Sequence, residues 1–328
     1  MPKRSPVLQL DQAIETLLAR SDAALPPADP AVAPLVRIAA DLRDLPRESF
    51  KARLKSDLER KASMAATVVT PLREGFHSLT PYLIVEGAAK LIDFLKQAFG
   101  AEEKFRVPKP DGTIMHAEVR IAGSVIELAD ANAQYPPRPT NLHFYVPDVD
   151  AVYQRAIAAG ATSTHEPVDQ PYGDREAGIR DPGGNDWYIA THKDGGPGQY
   201  TPEGLRAITI YLHTKGAPGL IDFLKRAFNA EEAARHESPQ GVIAHAKIRI
   251  GDSIIELSEA HGPYQPRPTG IHLYVPDADA AYRQALAAGA TSLTEPNDAP
   301  YGDRAAAVQD PQGNSWFLAT YVKDVSFS

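Results

Sequence analysis

The chain has 328 residues, 43% of them hydrophobic, with a formal net charge of −8 and no cysteine. That length accommodates two or three domains with cores of ordinary size. The negative charge argues against nucleic acid or an anionic membrane as the main partner, and the missing thiols exclude disulfides, thiolate nucleophiles and thiolate metal sites.

Lys3 and Arg4 are followed by no apolar signal segment, and no apolar run elsewhere reaches membrane-spanning length, so a cytoplasmic protein with no membrane partner is expected. Residues 1–65 read as a short all-α segment. Leu10, Ile14, Leu17 and Leu18 form one helical stripe, Val32, Leu35, Val36, Ala39 and Leu42 a second, and Phe50, Leu54 and Leu58 a third. Prolines at 26, 27, 30 and 46 separate them. The segment carries 11 Lys and Arg against 9 Asp and Glu, interspersed, which favours a solvated interaction segment over a DNA-binding one. Residues 66–75 read as a linker.

From Leu79 to Thr191 the chain matches residues 208–320 at a constant offset of 129 with no insertion. Ile92-Asp93-Phe94-Leu95-Lys96 recurs as Ile221-Asp222-Phe223-Leu224-Lys225, and Tyr172-Gly173-Asp174-Arg175 as Tyr301-Gly302-Asp303-Arg304. The expected boundaries are 76–193 and 204–325, joined by a Gly-rich connector at 194–203. Within repeat 1 the pattern predicts strand (79–85), helix (88–99), strand (102–107) and a hairpin (116–128). It then predicts strand (141–146), helix (148–159) and strands near 163–166, 176–180 and 187–191. This is βαβββ written twice per repeat. A helix covering one face of such a sheet leaves the other free to curl around a cleft.

The hairpin is the most informative stretch. A two-residue turn at Ala122-Gly123 sets Val119 opposite Ile126 and Glu118 opposite Glu127. One face is then Ala117, Val119, Ile121, Ile126 and Leu128, which requires a core; the other is His116, Glu118, Arg120, Val125 and Glu127. Two facing carboxylates are expected to raise the pKa of one of them and suit proton transfer or a cationic or amine ligand, unless Arg120 or Arg138 neutralises the pair. Repeat 2 sets Lys247 opposite Glu256, an expected ion pair, so the clefts are not equivalent and repeat 1 is the expected functional one. Glu127, Glu118 and His116 are the candidate catalytic groups. Tyr82, Tyr145, Tyr188, Tyr211, Tyr274 and Phe317 suit a flat ligand with hydroxyls to bond. Trp187 and Trp316 fall out of phase with Tyr188 and Phe317 and belong on the helix side. Tyr172-Gly173-Asp174-Arg175 and Asp181-Pro182-Gly183-Gly184 read as turn structure.

Thr80-Pro81-Tyr82-Leu83-Ile84-Val85, Ala98-Phe99-Gly100-Ala101-Glu102, Asp111-Gly112 leading into Met115-His116-Ala117-Glu118, and the two turn motifs together resemble the PhnB-like branch of the vicinal oxygen chelate superfamily, which includes glyoxalase I and the bleomycin resistance proteins. The resemblance covers roughly residues 76–325. It implies an α+β fold of two tandem domains, each of paired βαβββ units around a curled-sheet cleft. It also implies metal-ligand positions at Thr80, Glu127, Asn141 and Tyr188 in repeat 1, and at Thr209, Glu256, Gly270 and Phe317 in repeat 2. One good ligand per repeat falls short of the three or four a transition metal needs, so no metal or other cofactor is expected. A displaced set of His116, Glu118, Glu127 and His143, with His245 and His272 as counterparts in repeat 2, is the alternative. The expected function is binding of a small organic ligand through Thr80, Tyr82, Asn141, His143, Tyr145, Tyr188, Thr209, Tyr211, His245, Glu256, His272 and Tyr274. The alternative is an enzyme using the displaced metal set or Glu118/Glu127 acid–base chemistry. A monomer with an internal pseudo-dimer is expected, and whether the units pair within or across repeats is left open.

Overall fold

Ala122 and Gly123 both take positive φ, 48° and 84°, the backbone a tight primed hairpin turn needs. The turn sets the predicted register: Val119 pairs with Ile126, Glu118 with Glu127 and Ile121 with Ser124. The computed structural model describes residues 72–73, 75–196, 198–299 and 302–322. The three helices expected before residue 65 lie outside the described residues, as does most of the 66–75 linker.

Repeat 1 runs β1 (Leu79–Val85), α1 (Ala88–Phe99), β2 (Glu102–Pro108), β3 (Ile114–Ile121), β4 (Ser124–Asp130), β5 (Asn141–Tyr145), α2 (Val149–Ala158), β6 (Thr162–Asp169), β7 (Asp174–Arg180) and β8 (Asp186–His192). Repeat 2 runs β9 (Ile208–Thr214), α3 (Ala217–Phe228), β10 (Glu231–Glu237), β11 (Ile243–Ile250), β12 (Ser253–Glu259), β13 (Gly270–Tyr274), α4 (Ala278–Ala287), β14 (Thr291–Asp298), β15 (Asp303–Gln309) and β16 (Ser315–Tyr321). The fold is α+β, four βαβββ units in all. α1 ends on Gly100 and α3 on Asn229, both left-handed, while Asp148 and Asp277 cap α2 and α4 by accepting from Ala151 N and Ala280 N. At the start of α1 no residue of the first turn caps. Asp130, at the end of β4, accepts from Gly87 N and Ala88 N at 2.8 and 2.9 Å instead.

The units pair across the repeats. One eight-stranded sheet has the order β14-β15-β16-β13-β1-β4-β3-β2, the other β10-β11-β12-β9-β5-β8-β7-β6. Each is closed by an antiparallel seam between repeats: β1 with β13, where Thr80 meets His272, and β5 with β9, where His143 meets Thr209. The helices bind each repeat to itself. Arg155 Nε donates to Ala98 O at 3.3 Å, and the Phe99 ring lies 4.8 Å from Trp187, with Arg226 to Ala288 O and Phe228 against Trp316 repeating this. One apolar core runs under both sheets. It contains the predicted face Ala117, Val119, Ile121, Ile126 and Leu128, and both tryptophans, fully buried on the helix side. The opposite face of each sheet lines a cleft.

Candidate functional site

Because period-2 alternation sends every second side chain of a strand to one face, the seam strands deliver their polar residues to two clefts, each drawn from both repeats. The first, between β1–β4 and β13–β16, holds Thr80, Tyr82, His116, Glu118, Glu127, His272, Tyr274 and Phe317. The second, between β5–β8 and β9–β12, holds Asn141, His143, Tyr145, Tyr188, Thr209, Tyr211, His245 and Glu256. The candidates from repeat 1 are therefore divided between two sites. His143 does not join His116, Glu118 and Glu127; His272 takes that place, because β13 and not β5 borders β1.

In the first cleft Glu127 is buried and its Oε2 lies 2.5 Å from His272 Nδ1. Its coupling to Glu127 outweighs burial and raises the His272 pKa. His116 Nε2 lies 3.3 Å from Glu118 Oε1 and 3.9 Å from Glu127 Oε1. The expected carboxylate repulsion is overturned at Glu118. Burial alone would raise its pKa, but His116 and Arg73 hold it below the usual range. Arg73 Nη1 donates to Glu118 Oε1 at 2.6 Å. Neither suspected arginine does this: Arg120 bonds Glu102, and Arg138 donates to Gly313 O. Arg73 also stacks on Phe76, 4.8 Å from the ring centroid, and Phe76 packs edge-on against Tyr274. Leu72, Arg73 and Phe76 thus fill this cleft from the segment before β1.

The second cleft is open. A cavity of 620 Å³ is lined by residues that include Tyr145, Tyr188, Tyr211, Tyr264, Glu256 and Lys247. A second, of 380 Å³, shares Glu176, Tyr188, His213 and Tyr264 with it. Where Arg73 stands in repeat 1, the 129-residue offset places Pro202, so no guanidinium comes from that position; among the described residues no arginine lines the 620 Å³ cavity, while Arg180 and Arg267 line the smaller one. Glu256 accepts from His143 Nδ1 at 3.0 Å and His245 Nε2 at 3.1 Å. Those two histidines outweigh burial and push its pKa far below the carboxylate range, while Glu256 raises His143 against the effect of burial. Lys247 lies opposite Glu256 in the β11–β12 register, as expected, but the expected ion pair is absent: both Glu256 oxygens are taken by histidines. Tyr145 donates to Asp174 at 3.1 Å, and burial beside Glu256 and Asp174 raises its pKa, keeping the phenol protonated. The Tyr188 hydroxyl lies 2.8 Å from His213 Nε2, and burial lowers His213 to about 4.

Several lining residues escaped the sequence reading. Asp174 and Glu176 alternate along β7 with period 2, and Tyr172 reaches Glu176 at 3.3 Å, so part of a motif read as turn structure faces the cleft. The other half of that reading holds, since Arg175 forks onto Asp150 with two bonds of 2.7 Å. His261 and Tyr264 sit on a loop after β12, where no periodicity points to them. Asn185 is structural: it donates to Asp181, which also accepts from Trp187 Nε1 at 2.8 Å.

Across the seams the family's metal positions become Thr80, Glu127, Gly270 and Phe317 in one cleft and Thr209, Glu256, Asn141 and Tyr188 in the other. They do not fit a transition metal, with one carboxylate each and that carboxylate held by histidines. At Gly270 no ligand side chain has room, because a Cβ would lie 2.6 Å from Tyr82 O. Among the described residues, His116, Glu118 and Glu127 form the one trio offering donor atoms within 4.8 Å of one another. Arg73 already supplies the cation there.

Comparison with known proteins agrees with this architecture. Residues 75–189 and 210–318 each match the family model described as Glyoxalase/Bleomycin resistance protein/Dioxygenase superfamily. An uncharacterized protein of Mycobacterium bovis is 41% identical over 123 residues, covering 34% of this chain and 81% of that protein. One from Mycobacterium tuberculosis is 41% identical over the same length, 72% of that protein. Glyoxalase I from Zea mays superposes with a TM-score of 0.56 at 16% identity, over 74% of this chain and 92% of that one, a likeness of fold.

Proposed function

Because this chain belongs to the Glyoxalase/Bleomycin resistance protein/Dioxygenase superfamily, we propose that it is a small-molecule binding protein of that superfamily, working without a metal through the cleft between β5–β8 and β9–β12. The observation that carries this reading is the 620 Å³ cavity, a volume within the range of small-ligand sites, walled by tyrosines. Its deepest carboxylate, Glu256, is already met by two histidines rather than awaiting an ion. Tyrosine faces suit a flat organic body, and their hydroxyls fix its orientation. Each cleft is built by one chain, so we propose a monomer. Among the described residues no helix is long and apolar enough to cross a membrane. The turn motifs at Tyr172–Arg175 and Asp181–Gly184 favour the PhnB-like branch.

The test is a thermal-shift screen of metals and small organic molecules with Glu256→Gln alongside. A binder that only contacts Glu256 loses at most some affinity in the variant, whereas a catalyst keeps its ligand and loses turnover. Stoichiometric zinc, iron or nickel in protein purified without added metal would replace this reading with the second one. That second reading is an enzyme using His116, Glu118 and Glu127, and the closeness of their donor atoms favours it.

A further inference from the structure

Resting on the proposed binding role of the second cleft, we propose that its ligand is an aromatic carboxylate, whose carboxylate seats on the Lys247 ammonium while its ring lies among the tyrosines. Among the described residues, Lys247 is the one Lys or Arg lining the 620 Å³ cavity. Among the described residues it makes no ion pair or hydrogen bond, although it faces a cleft containing Glu256, Asp174 and Glu176. Those carboxylates have other partners: His143 and His245 on Glu256, Tyr145 and His192 on Asp174, and Tyr172 on Glu176. A half-buried ammonium without a counter-ion gains when an anion arrives, whereas an amine ligand would meet carboxylates whose oxygens already accept hydrogen bonds, and a cation of its own sign.

A second, independent feature marks the same cavity as a ligand site. His143 is 7% exposed and its Nε2 is buried with no hydrogen-bond partner; the nearest acceptor, Glu176 Oε2, stands 3.6 Å away. Its Nδ1 faces Glu256, which leaves Nε2 as an unpaired polar atom in the wall of the same cavity, an acceptor in the neutral ring and a donor in the imidazolium. One free cation among three carboxylates favours a monoanion over a phosphate dianion, whose second charge would face Glu176 and Asp174 unscreened. The other cleft shows the contrast. There the residue equivalent to Lys247 is Glu118, and the chain supplies its own counter-ion in Arg73.

The test uses matched acid and amide probes on the full chain by calorimetry at pH 7: benzoate and benzamide, 2-naphthoate and 2-naphthamide, indole-3-acetate and indole-3-acetamide. For at least one pair the acid is expected to bind roughly tenfold or more tightly than its amide, the size of one charge-assisted contact. Lys247→Met, with folding checked by thermal unfolding, should bring the acid to the level of its amide, and Lys247→Arg should keep the preference. Equal binding of acid and amide by the parent protein, or a preference that survives in Lys247→Met, overturns the proposal and leaves the cleft as a binding site. If no acid and no amide binds, the cleft reading falls and this proposal with it.

Discussion

Arg73 is the residue that separates the two clefts. Its guanidinium lies against a carboxylate that is 4% exposed, so removing it strands a buried charge. Arg73→Ala is expected to lower stability at pH 7 by about 3 kcal/mol in urea unfolding. Because Glu118 is held below its ordinary pKa, the stability it contributes is present above the unfolded value of about 4.3 and is lost as pH falls through the folded one. The gap between variant and parent should therefore narrow on acidification below about pH 4, and a gap that stays constant to pH 3 would contradict the assignment. His213 titrates with the opposite chemistry but the same sign of slope. Folding lowers it from 6.5 to about 4, so between those values the unfolded chain binds the proton first and stability falls as pH drops. His213→Gln should remove roughly 3 kcal/mol of that acid sensitivity, read as a flatter melting-temperature profile between pH 6.5 and 4. Arg73 left no trace in the periodic pattern. It lies outside every strand and helix, and its partner is 45 residues away.

At the scale of elements, two glycines in strands test how tightly the sheets are built. In β13 a Cβ on Gly270 would sit 2.6 Å from the Tyr82 carbonyl oxygen across the seam; in β7 one on Gly178 would sit 2.2 Å from Thr164 Oγ1 and 2.3 Å from His165 Nδ1. The first obstacle is backbone in the middle of an eight-stranded sheet, the second is side chains near its edge that can rotate away. Gly270→Ala should therefore cost the larger share of the typical ~1–3 kcal/mol overpacking penalty, and Gly178→Ala the smaller, by thermal unfolding of both. Equal losses would mean that the seam is looser than described. Strand positions, hairpin register and the helix-side burial of Trp187 were legible because each depends on residues within about a dozen positions. The Asp130 cap on α1 was not, since acceptor and helix are more than 40 residues apart.

At the scale of the whole molecule, the seams β1–β13 and β5–β9 make each repeat incomplete. A fragment of residues 69–203 would expose the inner edges of β1 and β5, which are strands with a buried face and unmatched backbone groups. It is expected to elute as a dimer in light-scattering chromatography, one copy's first unit pairing with the other's second, whereas a folded monomeric fragment would contradict the cross-repeat pairing. The sequence by itself determined the duplication, the βαβββ content of each unit and the face every hairpin residue takes, because alternation and offset are local properties of the chain. The tertiary structure alone decided which units meet, that Arg73 closes one cleft, and that among the described residues Lys247 has no counter-ion in the other. Four units written in nearly the same pattern offer nearly the same edges. Only the connections between them, and the packing of α1 on α2 and α3 on α4, choose among pairings that the alternation rates as equal.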